Sequence, residues 1–325
     1  MRPTPFLRGL LAAAAATTLA SVAHAQDSYP SKPITMVVPF AAGSGTDIGT
    51  RILAKDLTAL LGATVIVENK PGANGAIAAQ AAARAKPDGY TLLVGSATTN
   101  AANFAFFPGK LGYEPTSFDI VSGLGGSAIS LYVAANSPWK TIAELVADAK
   151  RQPGKFNCGS GNAVTQVACE VFRKQAGIEA VNVPYKSNPQ SLTDVVGGQV
   201  SFAFADASVA QVFLEGKRLR AIGVAGAQRN PVTPEAATFK EQGYADFEIT
   251  AWTAVFAPAG TPAAIVEKLN AAIRKSADSP ESVASRTRSG AFAINLDVAE
   301  ARRFAANEVA RWARYVKDSG VKPEQ

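Results

Sequence analysis

The chain has 325 residues, of which 47% are hydrophobic and 18% are charged, and its formal net charge at neutral pH is +6. The basic residues are spread along the chain without a run of Lys and Arg. A mild, dispersed positive charge helps to attract small anions, but it does not form the basic patch that nucleic-acid binding requires. We therefore expect no nucleic-acid partner. The length and the apolar content favour two domains, each with its own core.

The first 25 residues have the organisation of a secretory signal peptide. Arg2 and Arg8 supply a short positive region, residues 10–22 are mainly apolar, and Ala23-His24-Ala25 fits a cleavage site. The apolar run is shorter than the roughly 20 residues of a membrane span and is interrupted by hydroxyl side chains. An ordinary buried helix is the alternative, but it does not explain why charge, apolar run and cleavage site occur in this order. The sequence predicts export to the periplasm with cleavage near Ala25.

Cleavage would also change the chemistry that the chain can perform. His24, the single histidine, would be lost, and 30 basic residues against 26 acidic ones would leave a net charge of +4. Serine–histidine triads and histidine-ligated zinc are then excluded, and we expect neither a metal nor a cofactor. Cys158 and Cys169 remain in an oxidising compartment that permits a disulfide between them. Two small, buried, unpaired thiols are the alternative, since a sequence does not show whether the two Cα atoms lie close enough.

Short apolar strands alternate with amphipathic helices, which is typical of parallel α/β sheets. The first series has strands at 34–38, 64–68 and 91–94, with helices from about 47 to 61 and from 74 to 85. The second series has helices at 141–152, 164–176 and 190–196, and strands at 155–158, 180–183, 200–205 and 219–224. Two helices end the chain, one with Pro262 in its first turn and one in which Trp312 lies on the apolar face, where we expect core packing.

Two extended segments, 129–134 and 251–257, flank the second series and are candidates for connections between domains. If both segments cross from one domain to the other, lobe 2 spans residues 127–250, and lobe 1 combines residues 26–126 with 251–325. Two α/β lobes joined by two strands can close around a ligand by a hinge motion.

Four strands end in short loops rich in Gly, Ser, Thr and Asn. Ligands of open α/β sheets bind just outside the carboxyl ends of the strands. Loops that lead into helices also present free backbone N–H groups and the positive end of the helix dipole, which suits an anion. Two loops come from each lobe, so we predict the site in the cleft between the lobes. The loops are residues 40–47, 95–100, 159–165 and 206–208.

Simpler interpretations of the first loop exist. The segment from Gly43 to Thr46 can be only a tight turn before a helix, with Thr46 as the N-cap. Gly43-x-Gly45-x-x-x-Gly49 is a loose relative of the dinucleotide fingerprint, but its spacing is one position too long, and the acidic residue expected about 20 positions later is at best Glu68. We therefore reject nucleotide binding.

A periplasmic hydrolase is a competing hypothesis for the same cleft. Asp47, Asp194 and Asp206 could supply an acid–base pair, as in glycoside hydrolysis, although carboxylates at helix starts are more often caps. The aromatic residues near the cleft have two interpretations each. Tyr185 either lines the cleft or covers the sheet edge. Trp252, on a proposed connection, either packs or contacts ligand.

Several longer motifs resemble one family over essentially the whole mature chain. They include residues 29–34, 37–40, 43–47, 67–73, 87–93, 183–186, 193–194, 198–200, 257–262 and 320–324. The most recognisable are Val67-Glu68-Asn69-Lys70-Pro71-Gly72-Ala73 and Pro87-Asp88-Gly89-Tyr90. On these motifs the chain resembles the Bug family, the TctC-like extracytoplasmic solute receptors of tripartite tricarboxylate transporters.

The resemblance implies a periplasmic-binding-protein (Venus-flytrap, type II-like) fold that captures an organic acid for a membrane permease. It implies a receptor rather than an enzyme, and we expect a monomer. A partner of a membrane sensor would use the same cleft and is also compatible with the sequence. In the family, backbone groups and waters hold one ligand carboxylate between the lobes. The expected ligand-binding residues here are Phe40, Gly43, Ser44, Thr46, Asp47, Ser96, Thr98, Ser160, Gly161, Asn162, Thr165, Tyr185 and Asp206.

The chain departs from the family pattern at three places in the predicted site. The common Pro-Gly-Gly is Ala42-Gly43-Ser44, which adds a hydroxyl, and a histidine common near Gln166 is absent. The usual Tyr-Lys-Gly ends in Ser187. Because these positions lie where selectivity is set, the resemblance does not transfer the identity of a ligand.

Overall fold

The alternation of strands and helices is present in residues 29–320, the part of the chain that the computed structural model describes. The predicted signal peptide, with Arg2, Arg8 and His24, lies outside the described residues. The strands are β1 Ile34–Val38, β2 Val65–Asn69, β3 Thr91–Ser96, β4 Phe118–Ala134, β5 Phe156–Ser160, β6 Ala180–Pro184, β7 Phe202–Asp206, β8 Leu219–Val224, β9 Thr250–Pro258 and β10 Phe292–Ala293.

Helices follow most of the strands, and the predicted ones occur within a few residues of their expected bounds. Within residues 29–320, none combines the length and the apolarity that a membrane span needs. The helices are α1 Gly45–Leu61, α2 Ala76–Ala83, α3 Asn103–Phe106, α4 Ile142–Arg151, α5 Ala163–Ala176, α6 Asn188–Val196, α7 Ala207–Glu215, α8 Ala263–Ala277, α9 Pro280–Ser289 and α10 Val298–Ser319.

The first half of the sheet has the order β2-β1-β3-β9-β4. Strand β1 runs parallel to β2 and β3, whereas β9 runs antiparallel to β3 and β4. Its hydrophobic core includes Ile34, Met36, Leu57 and Leu92, all fully buried. Because β1 and β3 are parallel, the loops that follow them emerge at the same edge.

The second half contains β4, β7, β5 and β6 in that order, with β8 also paired to β4. Strand β5 is parallel to β6 and β7, so these strands also deliver their following loops to one edge. A cluster of aromatic rings fills the core beneath them, centred on Phe172, whose ring packs edge-on against Phe202, Phe204 and Phe239. The protein therefore has the expected α/β fold with two sheet regions.

The chain passes between the two sheet regions at the N-terminal ends of the two extended segments that were candidates for the connections. Strand β4 pairs with β9 up to Ala128 and with β7 from Ile129 onward. On the return path, the N–H of Ile129 donates to the carbonyl of Ile249 at 3.1 Å, and Thr250 opens β9. Residues 129–134 and 251–257 are therefore strands inside the two regions, and the crossings lie at their ends.

The first part of β4 was not predicted from the sequence, because glycine in the interior of a strand weakens that strand. The structure shows why glycine is present. A Cβ on Gly126 would lie 2.5 Å from the ring of Phe292, and one on Gly123 would lie 2.4 Å from Ile294. These glycines let β10 and the segment after it lie directly against β4.

Trp312 and Trp252 are both packing residues. Trp312 is fully buried in the core, as its spacing predicted. Trp252 is 3% exposed, and its indole N–H donates to Glu308 Oε2 at 2.6 Å. Its ring also packs edge-on against Phe304 of α10, so Trp252 ties β9 to the last helix.

Candidate functional site

The first loop is organised by the start of α1. Ser44 is the N-cap residue, and its hydroxyl oxygen accepts a hydrogen bond from the N–H of Asp47 at 3.2 Å. The alternative in which Thr46 caps the helix is wrong, because the helix already begins at Gly45. Since the Ser44 oxygen is engaged as an acceptor, the proton of its hydroxyl can be donated to another group.

Asp47 holds this loop in place. Its carboxylate accepts from the N–H of Gly43 at 2.9 Å, from Arg51 Nε at 3.1 Å and from Asn69 Nδ2 at 3.0 Å. Asn69 Nδ2 also donates to the carbonyl of Phe40 at 3.0 Å, so one amide connects both ends of the loop. Asp47 is only 2% exposed, and its contacts fix the loop backbone.

The charge of Asp47 is stabilised by its surroundings. Burial by itself would raise the pKa of this carboxyl, but the hydrogen bonds from Arg51, Gly43 and Asn69 lower the pKa below its ordinary value. The Arg51 guanidinium lies 2.9 Å from Asp47 Oδ1. Arg51 is therefore bound to a carboxylate within the protein, and the backbone of the first loop carries the free donors.

The second loop is a buried polar turn. Ser96 and Thr98, both predicted for the site, are 6% and 2% exposed. The chain forms a π-helical turn at Thr98–Ala102, a conformation that is frequent at functional sites. Thr99, which sequence reasoning did not single out, accepts from the N–H of Ser96 at 2.9 Å and donates to Asn100 Oδ1 at 2.6 Å. The polar groups of this turn therefore form most of their hydrogen bonds with one another.

The third loop begins at Ser160 and leads into α5. Asn162 is the N-cap, and its side chain accepts from the N–H of Thr165 at 3.0 Å. The N–H of Gly161 is shared between Thr165 Oγ1 and Asn188 Oδ1, each at 3.0 Å. Asn188 was missed by sequence reasoning because it belongs to the next helix. No local signal connects it to Gly161.

The fourth loop is the short junction between β7 and α7. Asp206 caps α7 by accepting from the N–H of Val209 at 3.3 Å, and it also accepts from the hydroxyl of Ser208. The Asp206 carboxylate therefore orders the start of the helix, as Asp47 orders the first loop.

Tyr185 and Asp194 form a pair beside the third loop. The Tyr185 hydroxyl donates to Asp194 Oδ2 at 2.7 Å, and burial together with this bond raises the pKa of Tyr185 to about 12. The backbone N–H of Tyr185 donates to the carbonyl of Ser160 at 2.7 Å, and its ring lies beside Gly159. These contacts support the end of β5 and give Asp194 a structural role.

A disulfide lies directly behind the third loop. Cys158 of β5 and Cys169 of α5 are bonded, with their Cα atoms 6.0 Å apart. Both cysteines are buried, and the interpretation as two unpaired thiols does not apply. The bond connects the strand before the loop to the helix after it, which limits how far Ser160, Gly161 and Asn162 can move.

The loops of the two regions face each other. A Cβ built on Gly45, at the start of α1, would lie 2.8 Å from the hydroxyl oxygen of Ser208 at the start of α7. The third loop lies at the same edge as the fourth, because β5 and β7 are parallel neighbours. The topology therefore brings the first, third and fourth loops to one cleft, with the second beside the first.

Free backbone donors concentrate at this cleft. The caps Ser44, Asn162 and Asp206 each engage the N–H of the third helical residue. The first two N–H groups of each helix have no acceptor within the helix and remain available. Helix α5 carries no acidic residue at its cap or in its first turn, so the positive end of its dipole is the least compensated. Such a site attracts a carboxylate or another small oxyanion.

The site has no arrangement typical of metal catalysis. Across residues 29–320, no three side chains of His, Cys, Asp or Glu are grouped so that they could hold a metal ion.

Two α/β regions joined by paired crossings, with donor-rich loops facing across a cleft, define a two-lobed solute-binding protein. The chain belongs to the tripartite tricarboxylate transporter family of receptors, which its sequence matches over residues 50–321. The family and the fold predicted from the motifs are thereby confirmed, and the family consists of periplasmic solute-binding proteins.

Relatives match along nearly the full length. The UPF0065 protein in the tcbD-tcbE intergenic region of Pseudomonas sp. (strain P51) is 31% identical over 323 residues, covering 96% of this chain and 94% of the relative. The structure of R. palustris Rpa4515 with adipate is 29% identical, with a TM-score of 0.86, and covers 91% of this chain and 100% of the other. MatC from Rhodopseudomonas palustris with bound malate is 31% identical, with a TM-score of 0.81, over 89% and 100%.

Proposed function

We propose that the protein binds a small carboxylate between its lobes and delivers it to a tripartite tricarboxylate-type permease. One observation carries the proposal: three helices begin on the two faces of one cleft. In each of them the first two backbone N–H groups have no acceptor within the helix. Backbone N–H groups held in place by side-chain caps can receive a carboxylate without reorganising, which reduces the entropic cost of binding. The adipate and malate bound by two similar proteins belong to the same chemical class.

The proposed contacts divide between the lobes. Lobe 1 contributes the first loop and the second loop, with Ser44 as a hydroxyl donor. Lobe 2 contributes the third and fourth loops. The proposed boundaries are residues 26–126 plus 251–325 for lobe 1 and 127–250 for lobe 2, and the two crossings at Ala128–Ile129 and Ile249–Thr250 support a hinge there.

The aspartates of the cleft favour a receptor over a hydrolase. Asp47 accepts from three donor residues, Asp194 accepts from Tyr185, and Asp206 caps α7. A general acid or base needs a proton that it can exchange with the substrate, whereas these carboxylates are engaged within the protein. The proposal therefore includes no catalysis. We further propose that the N-terminal 25 residues direct export and that the protein acts as a monomer.

The test is a thermal-shift screen of the purified mature protein against mono-, di-, tri- and aromatic carboxylates, with neutral analogues as controls. A ligand that binds the folded state raises the melting temperature. We expect at least one carboxylate to raise it and to be recovered unchanged after prolonged incubation. Stabilisation by neutral compounds alone would contradict the anion site. Turnover of the ligand, abolished by Asp206→Asn, would establish the hydrolase instead.

A further inference from the structure

The contact between the first and fourth loops involves two residues outside the predicted ligand set. Gly45 is the first residue of α1, and Ser208 is the second residue of α7. A Cβ on Gly45 would lie 2.8 Å from Ser208 Oγ and 3.7 Å from Ser208 Cβ. The first distance is closer than side chains tolerate, whereas the second is ordinary van der Waals contact. The backbone of α1 therefore touches the Ser208 hydroxyl across the cleft.

We propose that Gly45 sets how far the two lobes close and thereby controls ligand affinity. The missing side chain lets the start of α1 reach Ser208, which brings the N–H groups of both helices to one ligand. A side chain at this position would hold the lobes apart and leave the ligand bound mainly by one lobe. This proposal rests on the proposed function, since it concerns closure around the same ligand.

The backbone of α1 does not itself require glycine at this position. Gly45 lies within a helix and is not among the glycines with a left-handed conformation. Alanine is a better helix former than glycine, so the helix alone would favour alanine here. The contact with Ser208 is the feature of the structure that a side chain at this position would disturb.

Neither side of the contact can move away freely. The Ser208 hydroxyl donates to Asp206 Oδ1, so turning it aside would break a hydrogen bond at the cap of α7. Helix α9 packs against both α1 and α7 and limits sliding between them. A Cβ on Gly45 would therefore be accommodated mainly by separation of the lobes.

The test is Gly45→Ala, with Gly49→Ala as its matched control. Gly49 lies one turn later in the same helix, and a Cβ there would meet no atom within 4 Å. Titration calorimetry would use the acid that most raises the melting temperature of the unaltered protein. We expect Gly45→Ala to weaken binding roughly tenfold, in the range of overpacked sites, and Gly49→Ala to leave it unchanged. The melting temperature of the ligand-free Gly45→Ala protein should be equal or higher, which a general folding defect would not give.

Two further measurements are decisive: whether a second substitution restores ligand affinity, and how much the ligand compacts the protein. Ser208→Ala leaves only the ordinary 3.7 Å contact, so adding it to Gly45→Ala should restore most of the affinity. Small-angle scattering should show less ligand-induced compaction for Gly45→Ala than for the control. If Gly45→Ala binds as tightly as the unaltered protein, or if Ser208→Ala does not rescue it, the closure proposal is overturned while the proposed function stands. If no carboxylate binds the unaltered protein, both are overturned.

Discussion

Asp47→Asn is the substitution that most directly tests how the first loop is held. Asp47 Oδ2 accepts from Gly43 and Arg51, and Oδ1 accepts from Asn69 and Arg51. The substitution replaces one carboxylate oxygen by an NH2 group. This group would face two of these hydrogen-bond donors and could not accept from them. Removing one member of a buried ion pair costs about 3–5 kcal/mol. Arg51 is 53% exposed, so partial solvent screening reduces the expected loss to about 2–3 kcal/mol. For a chain of this size, that corresponds to a fall in melting temperature of roughly 3–5 °C.

The effect should depend on pH with a definite sign. The pKa of Asp47 is lowered in the folded protein relative to its ordinary value of 3.8. Its carboxylate therefore stabilises the fold above pH 3.8, and this contribution is lost as the pH falls through the folded-state pKa. Differential scanning calorimetry should show the full difference between Asp47→Asn and the unaltered protein at neutral pH, and a smaller difference in acid.

Glu281→Gln is the control for this experiment. It removes the ion pair with Lys55, which also lies on α1 but is exposed. Exposed pairs contribute little to stability, so the melting temperature should change much less than in Asp47→Asn. An equally large effect in both variants, or a difference for Asp47→Asn that does not shrink in acid, would refute the assigned role. Weaker ligand binding should accompany Asp47→Asn, because the N–H of Gly43 loses its anchor.

Two further variants test the third loop. Replacing both Cys158 and Cys169 by alanine should lower the free energy of unfolding by about 3 kcal/mol, as expected for a short closed loop, measured by urea unfolding; an unchanged midpoint would show that the bond adds no stability. Asn188→Ala removes an acceptor of the Gly161 N–H and of the Thr165 hydroxyl, so calorimetry should show ligand affinity reduced several-fold, at a stability cost of about 1–2 kcal/mol. Unchanged affinity would place the third loop outside the ligand contacts.

The sequence by itself determined the features that depend on short-range signals. Strand β1 occurs at its predicted bounds, and Gly62 ends α1 in the left-handed conformation expected of a C-terminal glycine. The polar loops at the strand ends were located correctly because Gly, Ser and Asn are required by turns and caps within a few residues. The family motifs were recognisable for the same reason, since each is a contiguous run.

Only the tertiary structure decided which of these groups meet. Asn69 binds both Phe40 and Asp47, although it lies at the end of the next strand. Gly45 touches Ser208, which follows a strand of the other sheet region. Such contacts depend on strand order and on how the two sheet regions are joined. Local propensity acts over one or two turns of chain and carries no information about either, so the sequence predicted the loops but not the hydrogen bonds and contacts that join them into one cleft.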